Sequence, residues 1–426
     1  MVARNFLETD ANILYPRVDM AGEKSGITGM EFPLLNYLIY LVSLIAGFDH
    51  WYGRLINLIV SSLGIYYFYR MIRGFIQERT AFYAALILLS SIWLNYSRKI
   101  MPDTFSMALV IMGLWAGFDY LNHGKFLRLV LSGLLLLAGI LSKLPSAFLI
   151  PLLVVPLVGT EIPRQRKVPV LLVLILITGI TATWYFYWVP YLVDSYGFWH
   201  FYMGTSFSQG LREILHHPAD MASRFYFSSL YSYAGFLAFL GGIVLLFKRK
   251  EKVVWIPFVL TTVFFILFMV KAGYNFPHHN YYIIPYTPVM ALIAGYFLSH
   301  IRLSWARILL IAIIMGEGIA NQQHDFRIKE ENKYILSLGQ VADQVSNPAD
   351  LIMINGGINP VDLYFTHRKG WTKRNEEIFE GNALEEAIPL GCRFLFLNKK
   401  KLPEGPFELP YETAYEDNWF LVYKLK

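Results

Sequence analysis

Ten apolar stretches, each about 14 to 21 residues long, fill most of the chain between residues 53 and 320. They run over 53–72, 80–97, 104–122, 128–142, 144–158, 168–189, 228–247, 253–271, 280–298 and 304–320. A helix needs about 20 apolar residues to cross a 30 Å hydrocarbon core, and there only helices and closed barrels satisfy their own backbone. The pattern predicts a mainly α fold: a polytopic helical membrane protein with about ten spanning helices. The pair 128–142 and 144–158 is short and fits by tilt or local thinning of the bilayer. Residues 34–48, "LLNYLIYLVSLIAGF", are too short to span and read as an interfacial or re-entrant helix. Composition agrees: 16% of the 426 residues are charged and mean hydropathy is +0.42, against about 25% charged in soluble domains.

Charge sets the expected orientation. One set of loops carries Arg70, Arg73, Arg79, Lys125, Arg128, Arg164, Arg166 and Lys167, and later Lys248 to Lys252, Arg302 and Arg307. The opposite set carries fewer than half as many cations and has the longer loops. The positive-inside rule places the richer set in the cytoplasm. It also accounts for the net charge of +6 without a nucleic-acid partner. Residues 96–105, 190–227 and 272–280, the N-terminus and everything after 320 then face outward. An outward tail of about 50 residues with no helix before it either translocates unaided or asks for a further spanning helix upstream of Met1. Cys392 is the only cysteine, which excludes an intrachain disulfide and cysteine zinc sites.

Three regions are expected. Residues 1–52 form an outer-face segment with the interfacial helix, 53–320 the transmembrane domain, and 325–426 a small α/β extracytoplasmic domain. The last region turns polar and carries strand-like runs at 350–356, 393–398 and 419–425, with a helical stretch at 330–345. It contains no G-x-G-x-x-G, P-loop or nucleophile elbow.

Candidate chemistry sits at the outer helix ends. In "YSRKIMPDTF" (96–105), Pro102 suits the first turn of a helix and Asp103 its N-terminus, where a carboxylate is favourable. That reading is a cap with two interfacial cations. The functional reading gathers Arg98, Lys99 and an acid where a phosphate headgroup lies, with Asp103 able to accept a hydroxyl proton. Glu31, in "GMEFPLLNYL", is either a solvated acid at a helix start or a second site acid. Arg54 and Lys143 are further cations for a lipid phosphate; Arg54 reads equally as a headgroup anchor. "AGYNFPHHNYYIIPYTP" contributes His278, His279 and Tyr281 as sugar or acceptor contacts. Zinc ligation by a histidine together with Glu31 is an alternative use of these side chains. His216 and His217 are adjacent and so point apart on a helix; surface histidines are the simpler reading.

These stretches occur in a recognisable order, and the chain resembles a GT-C glycosyltransferase that uses a polyprenyl-phosphate sugar. It is most similar to the bacterial branch of the protein mannosyltransferase and lipid A aminoarabinose transferase group. "MEFPLLNYLIYLVSLIAGFDHWYGRL", "YSRKIMPDTFSM", "AGILSKLPSAFLIP" and "HHNYYIIPYTPVMAL" carry the likeness. The resemblance implies a multi-pass protein of the inner (cytoplasmic) membrane. It implies transfer of a hexosyl or pentosyl group from a lipid phosphate to an envelope acceptor on the outer face, usually with inversion. Asp103 matches the acid of the family's second outer loop and Glu31 an acid preceding a proline, with Phe32 where some relatives have lysine. The resemblance requires no cofactor; in some members the glutamate helps bind metal, which makes Glu31 with His216 or His217 the candidate zinc pair. The family's first acidic motif should fall just upstream of Met1. A chain without it would be inactive, or would use Asp10 or Asp19, neither well placed.

Two other classes compete. A transporter or lipid flippase is expected to show inverted repeats and midplane charges; the chain shows no repeat, and its notable charges lie at helix ends. A non-catalytic envelope-assembly partner is the third reading, kept open by the absent first acid.

Overall fold

The protein is described by a computed structural model covering residues 1–198, 204–403 and 409–425. The chain forms two compact units: Glu31–Tyr187 with Phe201–Phe326, and Met1–Met30 with Trp188–His200 and Arg327–Lys426.

The larger unit is helical. All ten expected stretches lie on helices, but among the described residues five helices are by themselves long and apolar enough to cross a membrane. These are Tyr52–Arg73, Pro102–His123, Arg164–Tyr196, Lys252–Ala272 and Asn280–His300; counting each of two bent pairs as one span raises the number to seven. The expected count of ten is thus reduced, and the breaks have local causes. The 80–97 stretch splits at Ser91, whose hydroxyl accepts from the Trp93 amide and starts a new short helix. The 128–142 and 144–158 stretches stay short because the chain turns at Lys143 and Pro145 into a 3-10 turn, Leu144–Leu149. The 228–247 stretch bends by 94° between Pro218–Ser228 and Tyr233–Arg249. Pro285 lies inside a 3-10 turn, Asn280–Tyr286, and Pro288 in the first turn of Thr287–His300, where its missing amide costs little. Residues 34–46 form the expected short apolar helix.

Burial separates a centre from a periphery. In Pro102–His123 and Asn280–His300 83% and 78% of the apolar window is buried, whereas in the other three the share is 22% to 33%. A helix apolar all round must meet protein or lipid on every face. The peripheral helices leave side chains such as Leu127, Leu134, Leu172 and Leu176 exposed. Such a belt is unusual on a soluble monomer and suits hydrocarbon. Gly64 permits a close approach: a Cβ there would stand 2.5 Å from that of Ala108, so Tyr52–Arg73 packs directly on the central helix.

The smaller unit holds a five-stranded sheet of order β2-β1-β3-β5-β4, made of β1 (Leu351–Ile354), β2 (Lys369–Thr372), β3 (Cys392–Asn398), β4 (Glu412–Glu416) and β5 (Phe420–Lys424). β1 pairs in parallel with β2 and β3, while β5 runs antiparallel to β3 and β4. Both faces of the central strands are covered. Ile352, Ile354, Phe396 and Val422 pack with Leu338 and Val341, and Met353, Leu395, Leu397 and Leu421 with Ile378 and Leu384. This is why β1, β3 and β5 read as apolar runs; the edge strands β2 and β4 bury less and gave no such signal. The N-terminal segment joins the β2 edge, Gly22 donating to the Gly370 carbonyl (2.8 Å) and Gly370 to that of Asp19 (3.0 Å). Asp19 is buried in an ion pair with Arg4 (2.6 Å), and Asp10 pairs with Arg17 (3.2 Å). Both acids are therefore engaged within this unit.

Candidate functional site

Three of the expected residues come together in the helical unit. The Lys143 ammonium lies 2.9 Å from Glu31 Oε1 and 4.0 Å from Asp103 Oδ1. Each is placed by its own backbone. Asp103 occupies the first turn of Pro102–His123, started by Pro102. One turn on, the Ser106 hydroxyl donates to the Lys143 carbonyl (3.4 Å), which also accepts from the Ser146 amide and hydroxyl. Gly139 allows this approach, since a Cβ there would meet the Ser106 carbonyl at 2.8 Å. Glu31 is fixed by the next residue: the Phe32 amide donates to the Leu141 carbonyl (3.0 Å), which also accepts from the Tyr185 hydroxyl, and the Phe32 ring packs edge-on against Trp184.

The electrostatics follow from this geometry. Burial would pull the Lys143 ammonium down, but Asp103 and Glu31 outweigh it and hold the group well above the ordinary lysine value. The Asp103 side chain is nearly inaccessible, and its Oδ2 has no hydrogen-bond partner among the described residues. A buried carboxylate oxygen without a donor costs free energy unless a ligand completes it. Tyr281 forms a wall beside the cluster, its ring 5.9 Å from the Lys143 ammonium, with His279 stacked on it at 5.2 Å.

The other expected cations lie elsewhere. Lys99 pairs with Asp325 (3.2 Å), and Arg98 lies over the Phe326 ring (4.6 Å) and donates to the Phe326 carbonyl. The three-residue group expected from "RKIMPD" is thus divided: Asp103 turns inward, while Arg98 and Lys99 turn to the segment that follows Ser304–Ala320. The Pro102 start turns the chain, so the residues before and after it share no face. Arg54 is exposed in the first turn of Tyr52–Arg73. His278 stacks on Tyr274 (3.8 Å) and meets His217 (4.6 Å), which also faces Asp220; His216 is exposed. The described residues contain no group of three or more His, Cys, Asp and Glu suited to a metal ion; of the expected zinc pair, Glu31 contacts Lys143 and His217 faces Asp220.

One side chain escaped the sequence reading. Asn57 is fully buried, and its amide donates to the carbonyls of Tyr96 (3.0 Å), Lys99 (2.8 Å) and Met101 (3.2 Å). Its oxygen accepts from Ser61 and Thr104. Asn57 thereby ties down the loop that delivers Asp103. An asparagine inside an apolar stretch is the signal that would have found it. Asn280 plays a similar part, accepting from the Tyr96 hydroxyl and donating to that of Tyr231.

Residues 31–188, which include all three clustered side chains, match the family model described as dolichyl-phosphate-mannose-protein mannosyltransferase. The whole chain has the fold of ArnT from Cupriavidus metallidurans, in the apo state (TM-score 0.59, 13% identity) and bound to undecaprenyl phosphate (TM-score 0.58, 12% identity). Each of these likenesses covers 99% of this chain, and 91% and 92% of the ArnT chains. The oligosaccharyltransferase of Archaeoglobus fulgidus, in complex with Zn and sulfate, is similar over 93% of this chain and 63% of its own (TM-score 0.59, 14% identity). Comparison with curated protein sequences gave no match.

Proposed function

We propose that this protein is a membrane glycosyltransferase that moves a sugar from a polyprenyl-phosphate donor to an envelope acceptor on the outer face of the cytoplasmic membrane. The observation that carries this reading is the buried, unpartnered Asp103 oxygen beside the Lys143 ammonium. The donor phosphate binds at Lys143, released from part of its contact with Glu31. Asp103 takes the proton from the acceptor hydroxyl as that oxygen bonds to the anomeric carbon. The bond from the anomeric carbon to the phosphate oxygen breaks, and the departing polyprenyl phosphate gains negative charge next to Lys143. Attack opposite the leaving group inverts the anomeric centre. Glu31 positions Lys143, and Tyr281 with His279 offers an aromatic face to the sugar. The leaving group is already a phosphate ester, so no nucleotide-binding loop is needed. The family match over 31–188 and the likeness to ArnT bound to undecaprenyl phosphate support a lipid-linked donor.

The test is transfer of labelled sugar from synthetic polyprenyl phosphates by the purified full chain and by a form extended upstream of Met1. Transfer that is lost in Asp103→Asn and Lys143→Met, with folding retained, is the expected result. Absence of transfer from every donor by both forms, or normal rates in Asp103→Asn, overturns it. The outward orientation is tested separately with Lys333→Cys, an exposed site, since the native Cys392 is buried. A membrane-impermeant maleimide should label that variant on intact cells; labelling only after lysis would place residues 327–426 in the cytosol.

A further inference from the structure

The end of the helical unit opposite Asp103 carries a second charged cluster that the transfer chemistry does not use. We propose that Arg70, Trp115 and Arg128 form a binding site for the headgroup of an anionic phospholipid. The two helices concerned run side by side in the same direction: Asn57 meets Thr104 near their starts, Gly64 meets Ala108 midway, and Arg70 meets Trp115 further on. The first turn of Phe126–Ser142 then brings in Arg128. Both guanidinium groups rest on one indole, Arg128 at 4.6 Å and Arg70 at 5.8 Å from the ring centre, with Tyr67 packed on the same ring.

The charges do not cancel. Arg128 Nε forms an ion pair with Asp119 Oδ2 (3.1 Å), and Asp119 also faces His123. Arg70 donates to the Tyr66 hydroxyl (2.9 Å) and has no carboxylate partner among the described residues. The surroundings are apolar and outward-facing: Leu63, Tyr66, Phe126, Leu127, Leu131 and Leu134 are all exposed. Asp119 offsets one of the two cations, so Arg70 at the border of the hydrocarbon belt is left to draw an anion. Guanidinium forks match phosphate oxygens, and an aromatic ring under them holds the cations in place. Basic pockets between spanning helices on the cytoplasmic side are a recurrent form of anionic-headgroup site. A lipid phosphodiester and inorganic phosphate offer the same oxygens; the flanking exposed leucines favour the lipid, whose acyl chains they would line.

The site is independent of the transferase reading, and its test uses binding alone. The full chain in detergent is incubated with phosphatidylglycerol or phosphatidylcholine of the same acyl chains, and retained lipid is read by native mass spectrometry. Phosphatidylglycerol should be held in preference to phosphatidylcholine and should survive excess inorganic phosphate. Affinity should fall about five-fold for Arg70→Gln and roughly 25-fold for Arg70→Gln with Arg128→Gln, whereas Lys125→Gln in the adjoining loop changes nothing. Arg70→Gln removes no ion pair, so it carries the test if the double variant fails to fold. Equal retention of the two lipids, unchanged binding by Arg70→Gln, or displacement by inorganic phosphate overturns the proposal.

Discussion

Replacing Lys143 by methionine removes one charge, keeps most of the side-chain bulk, and leaves two acids without their common cation. The Glu31 contact is 2.9 Å and the Asp103 contact 4.0 Å, with side-chain exposures of 19% for Lys143, 25% for Glu31 and 6% for Asp103. Two unit charges 4 Å apart attract by about 4 kcal/mol at an effective dielectric near 20. Removing one member of a buried pair costs about 3–5 kcal/mol, and the partial exposure here reduces the expectation to roughly 2–3 kcal/mol. Glu31→Gln in the Lys143→Met background should recover part of that loss, because the uncompensated carboxylate disappears. A double-mutant cycle on the full chain in detergent, read by denaturant unfolding, should give a Lys143–Glu31 coupling of at least about 1 kcal/mol. If the two single changes add to within about 0.5 kcal/mol, the contact contributes nothing and the electrostatic account of the site fails.

Other outcomes follow from the same contacts. Asp103→Asn should lower turnover by about a hundredfold or more, the usual weight of a general base, while the unfolding midpoint stays near that of the parent; an unaltered rate removes Asp103 from the chemistry. Asn57→Ala withdraws the donor from three buried carbonyls and should destabilise the helical unit by about 2–4 kcal/mol; a smaller effect than that of Lys99→Ala would show that the loop is held some other way. Lys99→Ala breaks an ion pair with both partners about a third exposed and should cost less than about 1 kcal/mol. In the α/β unit, burial pushes the Cys392 thiol up to about 12 from 9.0. Above pH 9 the unfolded chain loses that proton while the folded chain keeps it, so folding stability falls as pH rises, by about 1.4 kcal/mol per unit. Cys392→Ala should flatten the decline between pH 9 and 10, measured by the melting of residues 327–426; an unchanged slope would assign it to other groups.

The sequence by itself determined the elements and their environment. Apolar length marked the ten helical stretches between residues 53 and 320, and continuous apolar runs marked β1, β3 and β5, because both signals are written in adjacent residues; the helices Phe207–His216 and Pro218–Ser223, in a stretch that reads as a long loop, gave no such signal. It also identified Glu31, Asp103 and Lys143 as unusual charges at helix ends. Tertiary structure alone decided which of those charges meet. Lys143 and Glu31 are 112 residues apart along the chain, and only the packing of Gly139 on Ser106 and the Phe32–Leu141 hydrogen bond bring them together. Arg98 and Lys99 stand closer to Asp103 in sequence than Lys143 does, yet the turn at Pro102 sends them to Asp325 and Phe326. The edge strands and the break at Ser91 were equally invisible, since each rests on a hydrogen bond or a partner strand rather than on hydrophobic period. Burial is a property of a side chain and can be read one residue at a time. A contact belongs to two segments, and its existence depends on how helices far apart in the chain come to lie side by side.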